Sequence, residues 1–531
     1  MTKQFSNYSD LITFTRASGG HALRPVSYGD ELVTNGTFNS DLSGWTDNLS
    51  KWTFSGSRAY HAPNSTFAVL RQSIPLTVGK IYRITFDYEV VQGQLRCQAR
   101  DSSNQPNSDT LVIHDLTGTG SASVIFVPDS DYDSIGFARD DVGVTSEIYV
   151  DNISVKEVLF DQPDGTLTLF EHPNNVPRVE YDADGNRLGL LVEESRTNLV
   201  THSENFSNSS WNNAASGLTV ISNAITAPDG TMTADKLQET ATSSIHRRGF
   251  LVSSSNDKIF SFFAKAGERT KVRTWSFVGS NTYAVTFDLS NGTIVSGSDT
   301  GKEGKIEYYG NGWYRCSSKT FDGQAYVVVG PMIDGVNGNN TVNYTGDGSS
   351  GVYVWGAQIE TNVSFPTSYI KTTGSTATRS ADVASIPVAD FGYNQSAGSF
   401  FIEFSHTDPN GTGSGNYALS TSGSSRFLYN NSGSPSWVNF DGTVSVNFGN
   451  LDFDGAFSKV AMGMDKNGTN GVVNGGTIKT STSTPQQNVT ASDDLSIGKK
   501  YSSGSHLNGH IKSIKYYPRS LTNAQLQDIT T

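Results

Sequence analysis

The stretch YRITFDYEV, residues 82–90, alternates Tyr82, Ile84, Phe86, Tyr88 and Val90 with Arg83, Thr85, Asp87 and Glu89. A strict period of two puts the apolar set on one side of an extended chain, so it predicts a β-strand with one buried face. The same grammar returns where Tyr283, Val285, Phe287 and Leu289 alternate with Ala284, Thr286 and Asp288. It returns again in Phe400, Ile402 and Phe404, set around Phe401 and Glu403. Near this third run, Asx-Gly turn signals recur at Asn410-Gly411, Asp441-Gly442, Asn467-Gly468 and Asn474-Gly475. One helix start is convincing. Thr522 and Gln525 form a capping box, with Leu521 and Leu526 placed to close a hydrophobic staple around it.

The bulk numbers agree with an all-β chain. With 531 residues the chain exceeds what one core serves, so three or four domains are expected. Abundant glycine (53) beside only 5 methionines fits many short strands joined by tight turns. A net charge of -13 argues against a nucleic-acid partner, because phosphate binders concentrate Lys and Arg. Cys97 and Cys316 stand far apart, which excludes a disulfide framework and a four-cysteine metal site; both are expected to be small buried hydrophobes. No apolar run is long enough for a signal peptide or a membrane span, so neither export by such a signal nor membrane insertion is expected.

Two long segments look alike at both ends. One opens ELVTNGTFNSDLSGW, ending at Trp45, and the other NLVTHSENFSNSSW, ending at Trp211; they close as IYVDNISVKE from Ile148 and VYVWGAQIE from Val352. The expected layout is a leader (1–29), a first sandwich (30–158), a connector (159–196), a second sandwich (197–371), a linker (372–385) and a third sandwich (386–531). The fold class is therefore all-β, with three β-sandwich domains in series. The leader, too short for a core of its own, should dock against a neighbour or a larger particle.

Three motifs carry a resemblance: LITFTRAS (11–18), PRVEYDADGNRLGLLVEESRTNLVTHSENFSNSSW (177–211) and GAQIETNVSFPTSYIKTTGSTATRSADVAS (356–385). They resemble tailed-bacteriophage virion proteins, head or tail fibres, that bear carbohydrate-binding-module-like jelly rolls. In that group the opening motif runs almost directly into PRVEYD, so the first sandwich looks like an insertion. The order GSFFIEFS, KVAMGMDKNGTNGVVNGG and LNGHIKSIKYYPRSLTNAQLQDI resembles a concanavalin A-like lectin or laminin-G sandwich. The resemblance implies a non-enzymatic glycan adhesin located in the virion, assembled in the host cytoplasm and released by lysis. Its implied partners are cell-surface glycans, other virion proteins and further copies of itself, as a homo-oligomer such as a trimer. Two alternatives stay open: a polysaccharide depolymerase with accessory binding modules, and a capsid or tail decoration without a ligand.

Sugar faces stack on aromatic rings, so the seven tryptophans come first. Trp45, Trp211 and Trp355 lie in the shared opening and closing segments and read as core. Trp52 and Trp437, set among Ser, Asn and Gly, read as exposed platforms, with Tyr429 as a neighbour. No cofactor is required. Structural calcium is possible, since Asp151 in YVDNISV matches a position where jelly-roll binding modules often supply an aspartate to that ion. Asp129, Asp131, Asp133 and Asp140 imitate an EF-hand spacing, but Ser134 stands where glycine is needed, so a solvated acidic loop is expected. GDGSSG (346–351) precedes a strand and reads as a turn. His506 and His510 are separated by an Asn508-Gly509 turn signal. Glu193 and Glu194 are expected to pair with Arg196 at the surface. No nucleophile–base arrangement stands out.

Overall fold

A computed structural model describes residues 12–531, apart from 48, 65–66, 102–109, 140–144, 213–215, 253–256, 279–280, 296–303, 321–324, 334–342, 407–415, 422–425, 432–433, 441–443, 448–455, 483–488, 491 and 502–504. The described chain is almost entirely antiparallel β-structure, with one α-helix, Asn523–Thr530, among the described residues. That helix starts at the expected place: Thr522 caps it, the capping box with Gln525 closes, and Leu521 packs with buried Leu526. No described helix is long and apolar enough to cross a membrane. The chain divides into two compact units, residues 25–166 and residues 1–24 with 167–531.

The smaller unit is one sandwich built around the strand Tyr82–Arg100. Its first half pairs with Ser146–Phe160 on one side and with Thr110–Phe126 on the other. Its second half keeps Thr110–Phe126 but takes Ser134–Arg139 as its other neighbour. The register shifts between Val90 and Leu95, where Gly93 adopts a left-handed φ of +82°. A Cβ there would meet the Ser146 side chain at 2.2 Å, so the bend at which the strand exchanges one neighbour for the other requires glycine. Tyr82, Ile84, Phe86 and Val90 are buried in the core with Ile148 and Val150, as the alternation predicts. Cys97 is buried here and Cys316 in the other unit; burial pushes both thiols up, which keeps them protonated.

The larger unit holds two sandwiches. One packs the sheet containing Lys258–Ala266, Trp313–Thr320 and Gly351–Thr361 against the sheet containing Lys271–Val278, Asn281–Asp288 and Ala325–Met332. Val285 and Phe287 are buried as expected, but so are Ala284, which packs beside Trp275, Val328 and Met332 on the other face, and Thr286, which accepts from Arg273 at 2.5 Å.

The last sandwich has two seven-stranded sheets, and it recruits segments from far up the chain. Thr13–Thr15 pairs with Val383–Ser385, and Arg187–Val192 pairs with Gly509–Ile511. Phe14 and Val192 enter its core beside Phe400, Ile402 and Leu495. The leader thus gives this sandwich an edge strand, Thr13–Thr15, and the connector gives it two neighbouring strands, Val179–Tyr181 at the edge and Arg187–Val192 inside it. The expected linker is also paired, since Ala377–Arg379 lies against Arg196–Asn198 and Val383–Pro387 joins a sheet.

At this junction five charged side chains are buried together. Asp382 accepts from Arg16 at 3.1 Å and from Arg178. Glu193 faces Arg178 at 2.9 Å and Arg379 at 3.4 Å, and accepts from Ser368 N at 2.8 Å and Ser368 Oγ at 2.6 Å. Glu194 pairs with Arg196 as expected, but Glu193 does not reach the surface. Burial raises the Glu193 pKa, yet Arg379, Arg178 and the Ser368 donors outweigh it, leaving it well below the usual carboxylate range. Arg16 is lowered to about 10, by burial first and then by Arg178. Each resembling motif contributes: Arg16 from the first, Arg178 and Glu193 from the second, Ser368, Arg379 and Asp382 from the third.

Candidate functional site

Of the two expected tryptophan platforms, Trp52 is not exposed. Trp52 is 4% exposed, donates its indole N–H to Ala68 O at 3.3 Å, and meets His61 edge-on at 5.2 Å. The polar residues around it belong to the exposed side and turn of the hairpin Trp52–Ser55 with Arg58–Asn64, while Trp52 itself points into the core. Trp437 and Tyr429 are Cα partners on neighbouring strands, and their side chains lie outside the described residues. Trp45 and Trp211 are buried in matching ways, each donating to a backbone carbonyl, Asn35 O at 3.2 Å and His202 O at 2.9 Å.

What the smaller unit presents is a groove on the polar side of its alternation. Arg58, Asp87, Tyr88, Glu89, Thr119, Gly120, Ser121, Tyr149 and Asp151 line it, and it encloses about 390 Å³. Register explains the grouping. Tyr149 is the Cα partner of Glu89 on one side and Tyr60 on the other, while Asp151 is opposite Asp87, and Ser121 opposite Asp87 beyond that. Because Ile148 and Val150 point inward, Tyr149 and Asp151 point outward. Tyr60 stacks on Tyr149 with ring centroids 4.5 Å apart, and the Arg58 guanidinium lies 4.0 Å from the Tyr149 centroid. Arg58 is held there by Glu89 at 2.7 Å, and Tyr60 donates to Glu147 at 3.1 Å.

Burial and the Glu147 acceptor push the Tyr60 phenol up to about 12. Partial burial, and then neighbouring Asp87, raise the Asp151 carboxyl. Asp151 accepts from Asn152 N at 2.8 Å, and Asp87 accepts from Asn152 Nδ2 at 2.7 Å and from Ser121. Among the described residues no group of three His, Cys, Asp or Glu side chains could hold a metal. Asp151 is a wall of this groove. Asp129 accepts from Tyr132 at 2.8 Å, and Asp140 lies outside the described residues.

The corresponding face of the sandwich at 197–371 has a different fate. There Tyr353 is the Cα partner of Lys236 and Lys265, and Trp355 is opposite Phe263. The bulge that follows has a left-handed residue in both sandwiches, Asn152 (φ 52°) and Gly356 (φ 61°). Where the groove has Asp87 and Asp151, this face has Phe263 and Trp355, buried with Trp313, Tyr369, Leu23 and Leu169. The chain's own strand Thr166–His172 covers it, with Leu169 N donating to Pro228 O at 2.9 Å.

A second cleft, about 210 Å³, lies in the larger unit beside Glu180, Tyr308 and His510. His510 Nε2 is 2.6 Å from Glu180 and its Nδ1 is 3.2 Å from Ser405 Oγ. Ser405 is buried at 3% exposure and does not line the cleft, so this Ser–His–Glu row offers no reachable nucleophile.

No curated protein sequence matches the chain. Among solved structures, a family 29 carbohydrate-binding module altered to probe ligand recognition is similar at 13% identity, over 25% of this chain and 85% of its own, with a TM-score of 0.20. A family 4 carbohydrate-binding module is similar at 18% identity over 24% of this chain and 99% of its own, TM-score 0.20. The family 22 tandem from Paenibacillus barcinonensis Xyn10C is similar at 12% identity over 63% and 98%, TM-score 0.21. Residues 378–527, most of the last sandwich, match the family described as the concanavalin A-like lectin/glucanases superfamily.

Proposed function

We propose that the protein is a non-enzymatic glycan-binding component of a virus particle, a fibre, spike or decoration, which holds sugar in the Tyr149 groove. The observation that carries this reading is the contrast between two equivalent faces. One is open, with a pair of tyrosines standing among hydroxyls and carboxylates; the other is apolar and filled by the chain itself. Aromatic rings flanked by hydrogen-bonding groups suit a sugar ring, which has apolar C–H faces and a polar rim. The reading gives the first two sandwiches one glycan groove per chain, and repeated display on a particle would supply avidity to a site that binds weakly. The match of residues 378–527 to a lectin-related superfamily supports the same class of ligand. The virion setting rests on the motif resemblance at 11–18, 177–211 and 356–385.

A glycan array probed with the full chain, with and without chelator, tests the site. Saturable binding that survives chelation and falls at least tenfold in Tyr149→Ala is expected. Retention of full binding by Tyr149→Ala would remove the groove from the reading. Antibody labelling of purified phage particles tests the setting, and unlabelled particles from a lysate rich in the protein would exclude it.

A further inference from the structure

We propose that Arg58 is a displaceable cover on the Tyr149 ring, and that the groove beneath it takes an uncharged, hydroxyl-rich glycan. This rests on the groove being the glycan site. Arg58 springs from the strand Arg58–Asn64, crosses the strand that carries Tyr149, and ends on Glu89 of the next strand. Tyr149 therefore has two groups against its ring, Tyr60 and Arg58, and a sugar can stack on it only by displacing one. Tyr60 is tied to Glu147, on Tyr149's own strand. Arg58 and Glu89 are each 36% exposed at the side chain and are joined by a single 2.7 Å pair, the kind of contact that contributes little. Arg58 is the group that yields.

The same pair sets the charge of the ligand. Glu89, Asp87 and Asp151 line the groove, Glu147 holds Tyr60 nearby, and Arg58, the one arginine lining it among the described residues, is already neutralised by Glu89. Arg83, further along this face, is engaged by Ser123 at 3.0 Å and Tyr28 at 2.9 Å. A uronate or sialate entering here would meet several carboxylates well inside the Debye length of roughly 8 Å at physiological salt. A neutral sugar pays no such penalty and has hydroxyls to donate to Asp87 and Asp151.

The test measures retention of the full-length protein by immobilised neutral polysaccharides (glucan, mannan, xylan, galactan) and acidic ones (polygalacturonate, alginate), at low and high sodium chloride. Neutral polymers should retain it. Retention should be lost in Tyr149→Ala and also in Ser121→Trp, which fills the groove from an outward-facing position, with far-ultraviolet circular dichroism checking that both variants fold. Arg58→Ala should bind up to about fivefold more tightly and lose the salt response, whereas the unaltered protein should tighten as salt loosens the pair. Weaker or unchanged binding by Arg58→Ala, or groove-dependent preference for an acidic polymer, overturns the proposal while leaving the site intact. Retention by none of the polymers, or retention that survives both Tyr149→Ala and Ser121→Trp, removes the site and the proposal together.

Discussion

At the scale of single residues the molecule separates two uses of charge. In the groove, charged groups are half-exposed and weakly held. At the junction of the larger unit, Arg16, Arg178, Glu193, Arg379 and Asp382 are all at most 5% exposed and mutually paired. Removing one partner of a buried set leaves an uncompensated charge, so Glu193→Gln should destabilise the larger unit by about 3 kcal/mol at neutral pH. The pH dependence has a definite sign. Because the folded pKa of Glu193 is depressed, its contribution is complete above the unfolded value near pH 4.5 and is lost as pH falls below it. Urea titrations of the two proteins at pH 7 and pH 3 should show a gap that narrows on acidification; a gap that widens would contradict the ionised, paired Glu193.

At the scale of elements, the lesson is how short a strand can be and still matter. The run at 82–90 was readable because nine residues carry several turns of a two-residue period. Thr13–Thr15 and Val179–Tyr181 are three residues each, and nothing in so short a strand says which sheet it joins. Only the partners, some 370 residues away in the case of Thr13–Ser385, reveal it. The groove was hidden for another reason. Asp87 and Glu89 come from the polar half of the alternation that identified the core, while Tyr88 comes from its apolar half and Tyr149 from another strand. Their grouping depends on register between strands, which one sequence does not print. The edge strand is predicted to be structural in earnest. Phe14→Ala should cost about 3 kcal/mol, seen as a lower denaturant midpoint for the larger unit, while the transition of residues 25–166 stays where it was.

At the scale of the whole molecule, the last sandwich is a host and the other two are guests. The chain leaves the host after Thr13–Thr15, returns for Val179–Tyr181 and Arg187–Val192, leaves again, and returns at Val383–Pro387. In the smaller unit Val26–Tyr28 pairs with Val158–Phe160, so that guest's entry and exit lie side by side, the arrangement that tolerates insertion. A chain joining Arg24 to Leu167 through a short glycine-rich turn should therefore keep the larger unit's melting transition and lose groove-dependent glycan retention. The superfamily-matching segment 378–527 expressed alone should fold poorly. Without Phe14, Leu190 and Val192 it should expose apolar surface and bind a hydrophobic dye strongly. A well-folded, dye-silent segment would show that the recruited strands are ornamental.

The host topology also dictates an order of events during synthesis. Residues 25–166 are contiguous and can close their core as soon as they emerge from the ribosome. The strand at 13–15 cannot, because Val383–Ser385 must first be made, a delay of roughly half a minute at ordinary elongation rates. Until then Phe14 and the edge around it are exposed to every other nascent chain nearby. Residues 25–166 are finished first, and the sandwich that holds the chain together is finished last.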